Sequence, residues 1–372
     1  MKRTVLAVTM AAVAAMGVTA SPASATPTRL TLPPPTGHYF VGTTDLHLVD
    51  RSRLDPWVPE SGPRELMVTM FYPALLPVGT PRRYLTTQEA AMLLASGDVP
   101  DVSPETVGST STSARVDAPP LPSWHGLPMV VLSPGLGMPR ALFTGLAEDL
   151  ASRGYVVADI GHNYETFGTA FPDGHVTTCV ACDHNHDLSL VPAVRAADVS
   201  FVLNSLTGPK PVWPGGVLID ASRIGMAGHS IGGAAAVRTM VDDSRVRSGM
   251  NMDGSFLALP PATGLNRPFV MLGSAVTHTP TGRDPSWPDT WARLTGWKRW
   301  LTMADASHVS FIDTIALTDQ LGVSPPGTIS GVRSMALTRA YVNAFFDLTL
   351  RGRPQPLLDG PTAANPEMKF WS

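Results

Sequence analysis

The sequence predicts an α/β fold, a mostly parallel central sheet flanked by helices, and three observations carry that expectation. From Leu127 onward, apolar strand-like runs alternate with segments of helical period. The connections between them are short, as right-handed crossovers in a parallel sheet require. One strand runs into a glycine-flanked serine, Gly228-His229-Ser230-Ile231-Gly232, and the alanine-rich stretch from Ala234 to Val237 follows as a helix. That strand, turn and helix order is a nucleophile elbow, in which glycines two before and two after the serine leave room for a strained turn. A plain glycine-rich helix start is the competing reading.

In chain order, Met1-Lys2-Arg3, the apolar run Thr4 to Ala20 and Ala23-Ser24-Ala25 have the three regions of a secretory signal. Residues 1–25 are therefore expected to be a signal peptide and the protein to be secreted. A retained anchor is the alternative, although the run is alanine-rich and near the short limit for a span. Residues 26–372 are expected to form one domain, because strand and helix signals continue without a long polar linker. Phe40 to Val49 and Glu65 to Tyr72 read as strands entering the sheet antiparallel. An insertion at about 84–125 follows, with a helical pattern over Thr87 to Leu94. It reads as a surface excursion, with a lid or lipid-facing element as the alternative.

The alternation then runs through a strand at Pro128 to Ser133, a helix at Arg140 to Arg153 and a strand at Tyr155 to Ile160. A helix at Leu190 to Leu206 tolerates Pro192 in its first turn. The elbow and its helix to Met240 come next. Strands are expected at Met250 to Met252, Phe269 to Leu272 and Trp300 to Met303, and a last helix at about Gly331 to Leu350.

Formal net charge is −3 with both signs scattered, so neither a nucleic-acid stripe nor a polybasic lipid-binding tract is present. No segment after the signal is apolar enough for stable membrane insertion. Cys179 and Cys182 are the two cysteines. In an oxidising compartment a local disulfide is the favoured reading. A metal site with His184 or His186, and free or redox-active thiols, are the other two.

A serine hydroxyl is a weak nucleophile, so Ser230 needs a neutral imidazole in reach and a carboxylate to orient it. His308 is the best placed histidine: it follows the strand at Trp300 in a small-residue loop, and it lies late in the chain as the Ser, acid, His order demands. Asp253 leads the acid candidates, because it ends the strand after the nucleophile's helix and is followed by Gly254. Asp284 and Asp289 are the runners-up, and Asp305 and Asp313 complete the set. The tetrahedral intermediate needs two N–H donors. Ile231 supplies one at a helix start, and Leu136 in the loop Ser133-Pro-Gly-Leu-Gly-Met138 is the candidate for the other.

The set Pro134-Gly-Leu-Gly137, Gly228-His-Ser-Ile-Gly232, Asp253-Gly254 and Ser307-His308 with Phe311 resembles the secreted, type II platelet-activating-factor acetylhydrolase family of α/β-hydrolases. The resemblance covers about Leu127 to Phe311, and the segments at Leu46 to Ser52 and Arg64 to Val68 look like the first strands of its bacterial members. It implies Ser230 as nucleophile, Asp253 as acid, His308 as base, Leu136 and Ile231 as oxyanion donors, and ester hydrolysis without metal or other cofactor. His162, Tyr164 and Glu165 match a run common in bacterial relatives and are read as lining the substrate cleft, with loop anchoring as the alternative. The segment Cys179 to His186 departs from the family pattern.

The resulting expectation is a secreted esterase or lipase that cleaves a small ester or lipid by acyl-enzyme formation, with short acyl chains or phospholipid sn-2 esters as substrates. A cutinase or polyester hydrolase and an amidase share the elbow. A ligand-binding protein on a hydrolase scaffold is the reading of a different class.

Overall fold

The computed structural model describes residues 29–97, 101–183, 187–325 and 327–372. The expected signal peptide, 1–25, and His184 and His186 lie outside the described residues. Strands β1 (Phe40–Leu54) and β2 (Pro63–Ala74) pair antiparallel, as the sequence suggests. The insertion then supplies α1 (Thr87–Ser96), α2 (Pro104–Gly108) and the two-residue β3 (Arg115–Val116), which pairs with β1 at the sheet edge. Tyr84, Leu85, Ala90 and Val107 of this insertion are buried in the main core. It is a packed part of the fold: a capping box at Thr86 and Glu89 starts α1, which packs on α2 and buries Ala90 in the core.

The crossover region begins with β4 (Leu127–Ser133), α3 (Thr144–Ser152) and β5 (Val156–His162). A small hairpin, β6 (Thr169–Ala170) with β7 (Val176–Thr177), precedes α4 (Val191–Thr207). Next come β8 (Ile219–His229), α5 (Ile231–Asp242), β9 (Val246–Met252), β10 (Phe269–Ser274), α6 (Ser286–Arg293) and β11 (Lys298–Met303). Helices α7 (Thr314–Leu321) and α8 (Gly331–Arg351) and the short β12 (Met368–Trp371) close the chain. The ten strands lie in the order β12, β11, β10, β9, β8, β4, β5, β2, β1, β3. From β11 to β5 every neighbour is parallel.

Strand residues alternate between two cores, as a period of two requires. Val130 and Leu132 of β4 join α3 and α8 on one face, whereas Met129 and Val131 join α4, α5 and Trp287 of α6 on the other. Helices cover both faces, so β5 is buried along its whole length. Seven elements were not expected from the sequence: α2, β3, β6, β7, α6, α7 and β12. The first turn of the expected helix at Arg140 is instead a 3-10 turn over Arg140–Phe143.

Candidate active site

Strand β8 delivers Ser230 to the carboxyl edge of the sheet, and α5 starts at the next residue. Ser230 sits at φ 54°, ψ −128°, a left-handed conformation that costs an L-residue energy and lifts its side chain out of the strand direction. Close packing shows why the glycines flank it. A Cβ at Gly228 would stand 2.1 Å from the Gly232 carbonyl carbon, and one at Gly232 would stand 2.0 Å from the Ser133 oxygen. The Ser230 N–H donates to the Met252 carbonyl at 2.8 Å, which ties the turn to the end of β9.

Asp253 follows β9 and also has positive φ, 59°. Its Oδ2 accepts from His308 Nδ1 at 2.7 Å. Its Oδ1 accepts from the Ser274 N–H and from His278 Nδ1, each at 2.6 Å. Burial pushes the Asp253 carboxyl up, but hydrogen bonds from His278 and His308 outweigh it and hold the group well below the usual carboxylate range. The His308 side chain is about half exposed (51%) and faces a cavity of about 670 Å3 that Ser230 also lines. Among the described residues no hydrogen bond within 3.5 Å joins the Ser230 hydroxyl to that imidazole. Such contacts are often long without substrate.

The other acid candidates point elsewhere. Asp313 is buried and accepts from the Gly145 N–H and Tyr84 hydroxyl. Asp305 and Asp289 are exposed, and Asp284 accepts from the Ser286 N–H and hydroxyl at the start of α6.

Leu136 and Ile231 both line the cavity, joined by Leu188, Leu257 and Val276 on its apolar wall. Ile231 is the first residue of α5, where N–H groups have no partner inside the helix. His229, which the sequence reading passed over, is fully buried, and its Nε2–H donates to the His308 carbonyl at 2.8 Å. Burial first, and the charge of His308 second, push the His229 imidazole down to about 3, so it stays neutral while bracing the loop that carries His308.

His162 and Glu165 are corrected by the structure. They are 1% and 0% exposed and do not line the cavity. His162 Nδ1 donates to Asp198 at 2.7 Å, and its Nε2 accepts from the Ser133 hydroxyl at 2.9 Å. Arg64 donates to Asp55, Asp198, Glu165 and the Asn163 carbonyl, and Arg195 donates to Glu165, Ser133 and the Pro134 carbonyl. Charged residues bury only when paired, and a carboxyl-edge loop is where such a network can form. It grips the loop that carries Leu136. Gly137 adds a further tie, donating to the Glu165 carbonyl at 2.8 Å.

Tyr164 is half-buried in an apolar cluster with Leu136, Ile231, Ala181 and Val191. Cys179 and Cys182 are joined as a disulfide, so the metal and free-thiol readings fall. The loop they close places Ala181 in that cluster, with its N–H on the Tyr164 carbonyl.

A mostly parallel sheet, a strained serine between strand and helix, and an imidazole bonded to a carboxylate at the same edge define an α/β-hydrolase. Comparison with known proteins narrows the class. Residues 26–171 match the family model of platelet-activating factor acetylhydrolase, isoform II. A probable 1-alkyl-2-acetylglycerophosphocholine esterase of Arthroderma benhamiae is 29% identical over 94% of this chain and 95% of its own length. The platelet-activating factor acetylhydrolase of Canis lupus familiaris is 28% identical over 42% of this chain and 41% of its own. The solved ferulic acid esterase of Streptomyces cinnamoneus superposes with a TM-score of 0.84 at 43% identity, covering 92% of this chain and all but 1% of that one (99%). The chain is similar to the platelet-activating factor acetylhydrolase isoform II family over residues 26–171 and is an ester hydrolase. No described helix is long and apolar enough to cross a membrane.

Proposed function

We propose that residues 26–372 form a single-domain, secreted serine esterase that hydrolyses short-acyl carboxylic esters, including short phospholipid sn-2 esters. The observation that carries this reading is the 2.7 Å bond between Asp253 and His308 at a cavity that also holds Ser230. Asp253 keeps the His308 ring in the Nδ1–H tautomer, leaving Nε2 free to take the serine proton. Ser230 attacks the ester carbonyl, and the N–H groups of Leu136 and Ile231 receive the developing oxyanion. His308 returns the proton to the departing alcohol, and water then releases the acid by the same route.

The short-acyl preference rests on the family likeness and on an open cavity of about 670 Å3 walled by Leu136, Leu188, Leu257 and Val276. Secretion rests on the amino-terminal pattern of residues 1–25 and on the bridged cysteine pair, which persists in oxidising compartments. Likeness to a ferulic acid esterase over nearly the whole chain favours a second reading, hydroxycinnamoyl esters in the same cavity.

A panel of nitrophenyl esters of graded acyl length, phospholipids with short second chains, and methyl ferulate separates the two. Short alkanoyl esters turning over fastest is the expected result. Fastest turnover of methyl ferulate selects the second reading, and full activity in Ser230→Ala overturns the mechanism.

A further inference from the structure

We propose that His278 is a buried imidazolium that serves as counter-charge to Asp253, a positioning residue setting how firmly that carboxylate holds a proton on His308. The inference rests on Asp253 and His308 being the acid and base of the proposed site.

His278 follows β10 and is 3% exposed. Its Nδ1 faces Asp253 Oδ1 at 2.6 Å, so that nitrogen carries a proton. Its Nε2 lies 3.3 Å from Asp284 Oδ2, and neither of these two buried atoms has another hydrogen-bond partner. A neutral ring would aim a lone pair at a carboxylate oxygen where water is excluded, leaving both atoms uncompensated. A second proton turns the same contact into an ion pair.

The ring face supports the charge as well. It stacks on the Trp287 indole with centroids 4.3 Å apart and 18° between planes, and an indole face attracts cations. The groups around the ring are Asp253 after β9, Asp284 and Trp287 from the α6 region, Gly273 and Ser274 of β10, and Trp300 of β11. Trp300 Nε1 donates to the His278 carbonyl at 2.7 Å, and the His278 N–H donates to the Ser274 carbonyl at 3.1 Å. The two carboxylates are the charges that face the ring. Burial pushes the Asp284 carboxyl up, but hydrogen bonds from Ser255 and Ser286 hold it below the usual range, so it faces the ring as a carboxylate.

With His308 neutral, the set of Asp253, His278 and Asp284 has one net negative charge. It becomes neutral overall when His308 takes the serine proton. Without the His278 charge, Asp253 would hold the His308 proton more firmly, and less neutral base would be present at a given pH.

Nitrogen-15 NMR of the wild-type protein reads the ring directly. Both His278 nitrogens are expected to be protonated at neutral pH, because each faces a carboxylate oxygen, and Asp284→Asn is expected to lose the Nε2 proton. His278→Gln keeps a donor for Asp253 but no charge, so the acid limb of kcat/KM for a soluble ester should move up by about one pH unit. A looser Asp253 alone would lower kcat without moving that limb. A bare Nε2 in the wild type at pH 7, or a His278→Gln profile that overlays the wild type, overturns the proposal. The NMR result needs no variant to fold and no turnover, so it stays readable even if Ser230→Ala retains activity and the site assignment fails.

Discussion

The sheet carries two serine, histidine and aspartate constellations that share their residue types and an imidazole–carboxylate bond of 2.7 Å, and differ in almost everything else. Ser133, His162 and Asp198 are linked at 2.9 and 2.7 Å, and all are at most 1% exposed. Ser230, His308 and Asp253 lie along a cavity, with the imidazole half exposed and the serine on a strained turn. Ser133 ends a regular strand and shares its hydroxyl with Arg195, so nothing aims it at a substrate. Burial, then the neighbouring Arg195, pushes the His162 imidazole down and keeps it neutral. Residue types and bond lengths therefore do not make an active site. Access, and a hydroxyl with no competing partner, do.

The comparison breaks most readily at the exposed set. Ser230→Ala is expected to lower kcat/KM by at least about 10⁴-fold, roughly 5 kcal/mol of transition-state stabilisation, with thermal unfolding unchanged. An initial-rate assay beside calorimetry checks it. A fluorophosphonate probe should label wild type at Ser230 and leave Ser133 unmarked.

At the buried set the effect moves from rate to stability. Asp198→Ala leaves Arg64 and Arg53 facing an empty site, and breaking a buried ionic network of this kind typically costs about 3 to 5 kcal/mol. Denaturant titration should show that loss. Ser133→Ala removes one hydrogen bond to His162 and one to Arg195, so a loss of about 1 to 2 kcal/mol is expected, with kcat within about twofold of wild type.

The smallest effect is the most discriminating. Burial lowers the folded-state value of His162, so the unfolded chain binds its proton first as pH falls. The His162 contribution is then complete above the unfolded value of about 6.5 and is lost progressively as pH drops below it. His229, pushed down to about 3, behaves the same way. Stability of His162→Gln measured from pH 8 to pH 4 should fall less steeply than wild type, while its kcat/KM profile keeps the wild-type shape. A change in the rate profile alone would reverse the roles of the two sets.

Much of this was legible in advance for reasons of local chemistry. The parallel strands announce themselves as apolar runs, and the elbow as a serine between glycines, because only glycine fits at Gly228 and Gly232. Asp253 was readable from its place at a strand end before Gly254, whose Cβ would meet the Ser230 oxygen at 1.9 Å. Weaker signals were present but passed over. Gly322 caps α7 in the left-handed region, Trp287 and Trp291 mark α6 at helical spacing, and Met368-Lys-Phe-Trp371 alternates as an edge strand should.

The residue misread, His162, and the two passed over, His278 and His229, have partners far along the chain. His162 reaches Asp198 across 36 positions, His278 reaches Asp253 across 25, and His229 reaches the His308 carbonyl across 79. By itself the sequence determined the sheet, the elbow and the order of the candidate triad, since periodicity and backbone conformational freedom act over a few residues. Tertiary structure alone decided which histidine is dry and which is wet, because solvent exclusion is set by packing between distant segments and no local pattern encodes it.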